Sequence, residues 1–121
     1  MARARILVVD DSPTQLSLIS APLVAGGFEV VTASSGEEAL RKVASDQPNL
    51  VVLDVVMPNQ NGFQICRAIK NSPESKHIPV ILLTSKNQPA DKYWGMRQGA
   101  DEYLTKPFQP ETLVSSVRRL V

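Results

Sequence analysis

Three stretches of the chain are almost continuously apolar, without the alternation of apolar and polar positions that marks a strand exposed on one face. They are "ILVV" at 6–9, "LVVLDVV" at 50–56 and "IPVILLT" at 78–84. Aliphatic and β-branched runs of this kind are typical of strands buried on both faces in a parallel sheet. Two shorter or partly polar runs, "FEVVTA" at 28–33 and "DEYLT" at 101–105, predict strands nearer the edges of that sheet.

The segments between these runs carry apolar residues at helical spacing. In the first segment Ser12 suits an N-cap, Pro13 suits the first helical position, and Gly26-Gly27 marks the end. The inner face of this helix is expected to carry Leu16, Ile19 and Leu23. Pro22 lies inside the helix, where it removes one backbone hydrogen bond and predicts a kink or a looser last turn.

Four further helices follow from the same signals. A serine cap begins the segment 34–48, Glu37 and Glu38 lie in its first turn near the positive end of the helix dipole, and Pro48 ends it. The other three are predicted over 62–71, over 89–99 with Gly99 as the stop, and over 110–120. Two arginines suit the C-terminal turn of the last helix.

Strand and helix therefore alternate five times with short links, and parallel strands need right-handed crossovers of this kind. The order predicts a doubly wound α/β sandwich, in which one five-stranded parallel sheet has helices on both faces. A chain of 121 residues suits one ordinary domain, and we expect a single domain over 1–121.

Composition excludes several classes of function. Thirteen Lys and Arg residues against twelve Asp and Glu give a net charge of +1 with no basic block, so no nucleic-acid partner is indicated. Cys66 is the only cysteine, which excludes an internal disulfide, and we expect a buried small hydrophobe there. His77 stands alone in a polar loop and is expected to be solvated. No long apolar span, signal segment or lipidation motif occurs, so no membrane insertion and a cytosolic location are expected.

Polar side chains fall where the predicted strands end. Asp10 and Asp11 close the first strand, Asp54 lies near the end of the third, Thr84 closes the fourth and Lys106 follows the fifth. In an open α/β sheet the ligand site lies outside the carboxyl ends of the strands. The fold is therefore expected to gather these five residues in one crevice.

Each of these residues also has an ordinary structural interpretation. A lone Asp at the first position would be an Asx turn or a helix cap, Thr84 a β-branched strand residue, and Lys106 a solvated charge. The doublet weakens the first interpretation, because capping needs one acid and the second would lie close to the core with no obvious partner. The two acids would also repel each other by roughly 4 kcal/mol if their charges came within about 4 Å in a protein-like dielectric. Asp54 interrupts an apolar strand and must have a polar partner or a function.

Three carboxylates in one crevice suit a hard divalent cation. Mg²⁺ typically binds one or two carboxylates and keeps waters and phosphate oxygens as its other ligands, and it would compensate the adjacent acids. Asp54 then remains as a nucleophile, with a cation on Lys106 and a hydroxyl donor on Thr84. These are the parts that move a phosphoryl group onto a carboxylate.

Four motifs carry a resemblance to a known family: "VVDDS" at 8–12, "LDVVMPNQNG" at 53–62, "LLTSK" at 82–86 and "GADEYLTKPF" at 99–108. Together they resemble the receiver domains of two-component response regulators, the CheY-like family, over essentially the whole chain. The resemblance implies the flavodoxin-like (βα)5 fold with strand order 2-1-3-4-5. Met57-Pro58 and the run from Asn59 to Gly62 are expected to shape the loop after Asp54.

The resemblance also assigns roles. Asp54 is implied to be the phosphoacceptor, Asp10 and Asp11 to hold Mg²⁺, and Asp11 to be a direct ligand beside Asp54 and the Val56 carbonyl. Lys106, in a cis Lys106-Pro107 peptide, would pair with the phosphoryl group and Thr84 would bond one of its oxygens. The aromatic switch would be Tyr103.

The implied partners are a histidine kinase or histidine phosphotransfer protein and a downstream protein. The downstream protein would bind the face made by the fourth helix, the fifth strand and the fifth helix. The chain would be a signalling switch with only self-phosphorylation and autodephosphorylation, and a monomer or a weak phosphorylation-dependent dimer.

The segment 84–108 is similar to a narrower group, the stand-alone regulators of type IV pilus twitching motility (PilH/PilG-like). The similarity rests on the fourth helix and its flanks, notably Trp94 with "RQGA". Tyr93 and Trp94 are about 100° apart on a helix, so both cannot easily point inward, and one is expected to pack on the inner face.

Three other functions fit parts of the pattern. An aspartyl-phosphate phosphohydrolase of the haloacid dehalogenase type needs a second acid two residues after the nucleophile, where this chain has Val56, and there is no room for the usual cap domain. A flavodoxin-like flavin or nucleotide binder would want a phosphate loop after the first strand, where Asp10-Asp11 would repel phosphate. A degenerate receiver that serves only as a docking scaffold is disfavoured because every expected polar position is filled.

Overall fold

The computed structural model describes residues 3–58 and 60–121. Five parallel strands form one sheet in the order β2-β1-β3-β6-β7, and a separate antiparallel pair is formed by β4 and β5. In chain order the strands are β1 (Arg5–Val9), β2 (Glu29–Ala33), β3 (Leu50–Leu53), β4 (Val56–Met57), β5 (Gln60–Asn61), β6 (Val80–Thr84) and β7 (Glu102–Thr105). Counted among the sheet strands alone, this order is 2-1-3-4-5, as predicted.

Four helices connect consecutive strands of the sheet, and a fifth follows the last strand. They are α1 (Pro13–Ala25), α2 (Gly36–Asp46), α3 (Gly62–Asn71), α4 (Pro89–Arg97) and α5 (Pro110–Leu120). The predicted caps of the first two helices are confirmed, since Ser12 Oγ accepts from Gln15 N and Ser35 Oγ accepts from Glu38 N. Helix α1 continues through Pro22 to Ala25, so this proline lies within its last turn. No helix within the described ranges has the length and hydropathy needed to span a bilayer.

The third predicted strand was too long. It ends at Leu53 instead of residue 56, and Val56–Met57 instead pairs antiparallel with Gln60–Asn61. The physical reason is Asp54, whose carboxylate accepts a hydrogen bond from Val56 N and turns the chain out of the sheet. The fourth predicted strand likewise begins at Val80, two residues late. Asn59, which was expected to shape this loop, lies outside the described residues.

The expectation that one aromatic of α4 packs inward is wrong. Tyr93 is 60% and Trp94 56% exposed. Gly95 is the buried residue of this helix, and a Cβ there would lie 2.7 Å from Tyr103 Cδ2. The helix ends at Arg97, two residues before Gly99, whose positive φ of 97° makes the turn into the next strand.

The sheet separates two apolar cores, because alternate side chains of each strand point to opposite faces. On one face the core contains Leu7, Val51 and Leu82. On the other it contains Ile6, Leu50 and Ile81, together with residues of α1 and α5 such as Ile19 and Leu113. The two strands with weaker patterns, β2 and β7, form the edges of the sheet, as predicted.

Candidate functional site

Asp10 directly follows β1, and hydrogen bonds hold both its backbone and its side chain in place. Its backbone N donates to the Ala33 carbonyl (3.1 Å), and its Oδ1 accepts from Ser12 N (3.0 Å). The second bond is an Asx turn that leads into the N-cap of α1. The ordinary interpretation of Asp10 is therefore correct as far as it goes, but the side chain is 1% exposed and its second oxygen has another partner.

Asp54 occupies the equivalent position on the neighbouring strand. Its backbone N donates to the Val9 carbonyl (3.0 Å), and its Oδ1 accepts from Val56 N (3.1 Å). The side chain lies in the same crevice and is buried. Gly62 passes close behind it, and a Cβ at that position would lie 2.2 Å from the Asp54 carbonyl oxygen. Any side chain at 62 would therefore displace the backbone of the predicted phosphoacceptor.

Lys106 joins the two carboxylates. Its backbone N donates to the Thr84 carbonyl (2.9 Å), and the peptide that follows, to Pro107, is cis as expected. Lys106 Nζ lies 2.8 Å from Asp10 Oδ2 and 3.4 Å from Asp54 Oδ2. An ammonium thus bridges two carboxylates that have little contact with water.

Asp11 completes a cluster of three acids, which we call the carboxylate cluster: Asp10, Asp11 and Asp54. Asp11 is exposed, and each residue offers one oxygen such that all three lie within 4.8 Å of one another. Carboxylate oxygens are ligands of the kind that Mg²⁺ binds in proteins. Three carboxylates against one ammonium leave negative charge uncompensated. The donor set therefore fits a divalent cation.

The structure changes the account of how the acid doublet is tolerated. The sequence predicted a metal as the compensation, whereas Lys106 itself supplies a direct counter-charge to Asp10 and Asp54. The Asp11 side chain points to solvent, where water reduces the repulsion. A cation would add to this arrangement and not create it.

Thr84 and Tyr103 are placed beside the cluster and linked through one backbone segment. Thr84 is fully buried, and its Oγ1 accepts from Lys86 N at 3.4 Å. The Tyr103 hydroxyl donates to the Lys86 carbonyl at 2.7 Å, so its ring is turned inward. Burial, and after it the negative charges of Asp91 and Asp54, raise the pKa of Tyr103 to about 12. Among residues 3–58 and 60–121, no hydrogen bond joins the Thr84 side chain to the carboxylate cluster.

Several residues that position the site were not found by sequence reasoning. The Val56 amide orients the Asp54 carboxylate and lies two residues after it, which is the spacing of an Asx turn. The sequence predicted such a turn only for the acid doublet, where the Ser12 amide makes the corresponding bond to Asp10. The carbonyl of Lys86 and the inward Gly95 left no comparable signal, because both depend on contacts with Tyr103 on another strand.

The two residues expected to be unreactive behave as predicted. Cys66 is fully buried, and burial raises the pKa of its thiol to about 12. His77 is exposed. Neither contributes to the crevice.

Comparisons with known proteins agree with this geometry. Residues 6–118 match the response regulator receiver domain family. The chain is 43% identical over 118 residues to protein PilH of Pseudomonas aeruginosa, covering 98% of both chains. It is 44% identical over 117 residues to the response regulator PleD of Caulobacter vibrioides, of which it spans 26%. The crystal structure of the chemotaxis response regulator CheY4 of Vibrio cholerae superimposes with a TM-score of 0.91 at 36% identity, over 99% of this chain and 100% of that one.

Proposed function

Because this chain belongs to the response regulator receiver family, we propose that it is a Mg²⁺-dependent switch that takes a phosphoryl group on Asp54. Receiver domains interact with histidine kinases or phosphotransfer proteins and with downstream targets. The observation that carries the proposal is the Lys106 ammonium, which bridges Asp10 and Asp54 in a nearly dry crevice. A degenerate receiver that only docks partners would have no need of this buried charge arrangement.

Different residues of the crevice would have different roles in phosphoryl transfer. The Val56 amide holds Asp54 Oδ1 and leaves Oδ2 facing Lys106. A carboxylate oxygen of Asp54 attacks phosphorus, an O–P bond forms, and the P–N bond of the donor phosphohistidine breaks as the imidazole leaves. Lys106 neutralises charge that develops on the phosphoryl oxygens. A Mg²⁺ ion held by Asp10, Asp11, Asp54 and the Val56 carbonyl would lower the charge repulsion of that approach.

The same contacts indicate how the switch would operate. A bound phosphoryl group adds about −2 of charge and strong acceptor oxygens. Its oxygens accept from the Thr84 hydroxyl, whose oxygen already accepts from the Lys86 amide, and Thr84 moves toward the phosphoryl group. The Lys86 segment, bonded to Thr84, moves with it, and the Tyr103 ring follows inward because its hydroxyl donates to the Lys86 carbonyl. The surface of α4, β7 and α5 changes in consequence, and we assign the downstream target to it.

A groove beside Lys106 is suited to the phosphodonor. We call it the donor groove; it has a volume of about 610 Å³ and includes Leu18, Lys106, Phe108 and Pro110. Lys106 lies in both the groove and the crevice, so we place the partner that brings phosphohistidine to Asp54 over this opening. The chain carries no charged residue from 12 to 28, so the adjoining face of α1 suits an apolar protein surface.

Likeness to PilH over nearly the whole of both chains supports twitching-motility signalling as the pathway. A pull-down that compares beryllofluoride-activated with inactive protein tests this and identifies the output partner. Recovery of the same proteins in both states would instead favour the docking scaffold.

The test of the chemistry is labelling by acetyl phosphate in the presence of Mg²⁺. We expect Asp54→Asn to abolish labelling, since the amide is not a nucleophile, and to keep the far-ultraviolet circular dichroism of the wild type. Asp46→Asn is the matched control, because Asp46 ends α2 beside the start of β1, where its carbonyl accepts from Arg5, whereas the carboxylate cluster follows the opposite ends of β1 and β3. Labelling of Asp54→Asn at the full rate would mean that another residue is the phosphoacceptor. If the wild type neither took the label nor bound Mg²⁺, the remaining function would be that of a docking scaffold.

A further inference from the structure

Helix α4 directs its large apolar side chains to solvent, whereas a helix that packs on a sheet normally buries them. Tyr93, Trp94 and Met96 are all exposed, the last by 43%. The rings of Tyr93 and Trp94 meet edge to face with centroids 6.3 Å apart. The Arg97 guanidinium lies 5.8 Å from the centroid of the Tyr93 ring. These side chains form one connected aromatic and cationic surface.

A groove of about 380 Å³ lies between α3 and α4, beside this surface, and we call it the α3–α4 groove. It is lined by Arg67 and Lys70 of α3 and by Trp94 and Arg97 of α4. The ammonium of Lys70 is compensated, since it lies 3.0 Å from Asp101 Oδ2.

The two arginines of the groove have no such counter-charge. Within residues 3–58 and 60–121, neither Arg67 nor Arg97 has a carboxylate oxygen within 4.0 Å. Both are exposed. The groove therefore combines an exposed indole with two guanidinium groups that are free to bind an anionic ligand.

We propose that the α3–α4 groove docks an acidic segment of a partner protein that carries one aromatic or aliphatic anchor. Carboxylates of the segment pair with Arg67 and Arg97, for which the planar guanidinium is well suited. The anchor packs on the indole of Trp94. Trp, Tyr and Arg are the residue types enriched in binding hot spots. The net charge of +1 and the lack of a basic stripe along the chain favour a protein ligand over nucleic acid.

This surface is distinct from the one assigned above to the output target. The β7 side of α4 forms a separate depression with Lys92 and Tyr103, whereas the groove faces α3. It contains no residue of the carboxylate cluster, so we expect the unphosphorylated protein to bind the segment.

The test uses Trp94 as the reporter, because it is the only tryptophan of the chain. The full chain is titrated with short synthetic peptides in which glutamates flank a central phenylalanine or leucine. Matched peptides carry glutamine in place of each glutamate. We expect saturable changes in Trp94 emission with the acidic peptides, weaker binding as salt is added, and about tenfold weaker binding of the glutamine peptides.

Variants locate the binding site, measured by the fluorescence anisotropy of labelled peptide. Arg67→Gln and Arg97→Gln are each expected to weaken binding about tenfold. Arg41→Gln makes the same charge change on α2, outside the groove, and should bind like the wild type.

Two further variants separate the neighbouring surfaces. Lys92→Gln, on the β7 side, should leave peptide binding unchanged. Asp54→Asn should also leave it unchanged, so that failure of this proposal and failure of the phosphoacceptor assignment give different results. The proposal is overturned if the acidic peptides do not bind at millimolar concentration, if the glutamine peptides bind equally, or if Arg41→Gln or Lys92→Gln loses as much affinity as the groove variants.

Discussion

Lys106 is the residue on which the charge balance of the buried crevice depends. Its ammonium contacts Asp10 and Asp54, both of which are nearly excluded from water. Lys106→Met keeps the apolar stem and removes the counter-charge, and loss of one partner of a buried ion pair costs about 3–5 kcal/mol. We expect a loss of about 3 kcal/mol in the free energy of unfolding, measured by urea denaturation without Mg²⁺.

The control for this variant is Lys76→Met, because Lys76 is exposed and forms no ion pair with any described residue. Its effect should stay within about 0.5 kcal/mol. Equal losses in the two variants would mean that the ammonium of Lys106 does not compensate the acids. If Mg²⁺ binds among the same oxygens, added Mg²⁺ should reduce the difference in the free energy of unfolding between Lys106→Met and the wild type.

Asp11 has the opposite character, since it is exposed and lacks an ion-pair partner within the described ranges. Without Mg²⁺, Asp11→Asn should change stability little, or raise it slightly by removing repulsion from Asp10. With Mg²⁺ at a hundred times its dissociation constant, the wild type should gain about 2.7 kcal/mol, and the variant less. Thermal unfolding over a Mg²⁺ titration measures both; an equal gain in the variant would remove Asp11 from the ligand set.

The membership of the crevice could be predicted from the sequence, because carboxyl ends of neighbouring parallel strands meet at one edge. The contacts within it could not. Lys106 reaches Asp10 across 96 residues, and nothing local tells which carboxylate its ammonium meets first. Polar residue types at strand ends are visible in a sequence, whereas side-chain direction is decided by packing.

At the scale of elements, α4 contacts the sheet through a glycine. A Cβ at Gly95 would lie 2.7 Å from Tyr103 Cδ2 and 2.8 Å from Leu82 Cδ1. Gly95→Ala gains about 1 kcal/mol of helix propensity, but overpacking typically costs about 1–3 kcal/mol. We therefore expect a net decrease in the free energy of unfolding, and we expect the Tyr103 ring to be less firmly held in its inward position.

A double-mutant cycle measures this contact. Tyr103→Leu should reduce the cost of Gly95→Ala in urea denaturation, because the clashing ring atoms are gone while the contact with Leu82 Cδ1 remains. Ala90→Gly, on the exposed first turn of α4, reports the propensity effect alone. Additive effects of the two substitutions would show that Gly95 does not make room for Tyr103.

Element boundaries were predictable where a cap or a proline acts locally. The bounds of α3 and α5 were predicted to the residue, whereas α2 ends at Asp46, two residues before the predicted stop at Pro48, with Gln47 in the left-handed region as its C-cap. The β4–β5 hairpin was not predicted, because "VVM" after Asp54 has the same apolar character as the strand before it. The change of direction comes from a side-chain hydrogen bond to Val56, which competes with the sheet and leaves no trace in hydrophobicity.

At the scale of the whole molecule, the assigned donor and output surfaces centre on different depressions of the surface. Phosphodonor contact is assigned to the donor groove, next to α1 and α5, and output to the surface of α4, β7 and α5. Lys106 lines the former and Tyr103 the latter. Chemistry at Asp54 and recognition of the donor should therefore be separable by mutation.

Leu18→Ala tests that separation. Leu18 is an exposed apolar residue of α1. It lines the donor groove and is not part of the carboxylate cluster. Truncation should slow phosphotransfer from a phosphorylated histidine phosphotransfer domain about tenfold by removing an apolar contact with that protein. Labelling by acetyl phosphate, which needs no protein contact, should keep the wild-type rate. Val24→Ala, also exposed on α1 but outside the groove, is the control. If Leu18→Ala slowed both reactions equally, the substitution would act on the crevice, and the donor would have to approach from another side.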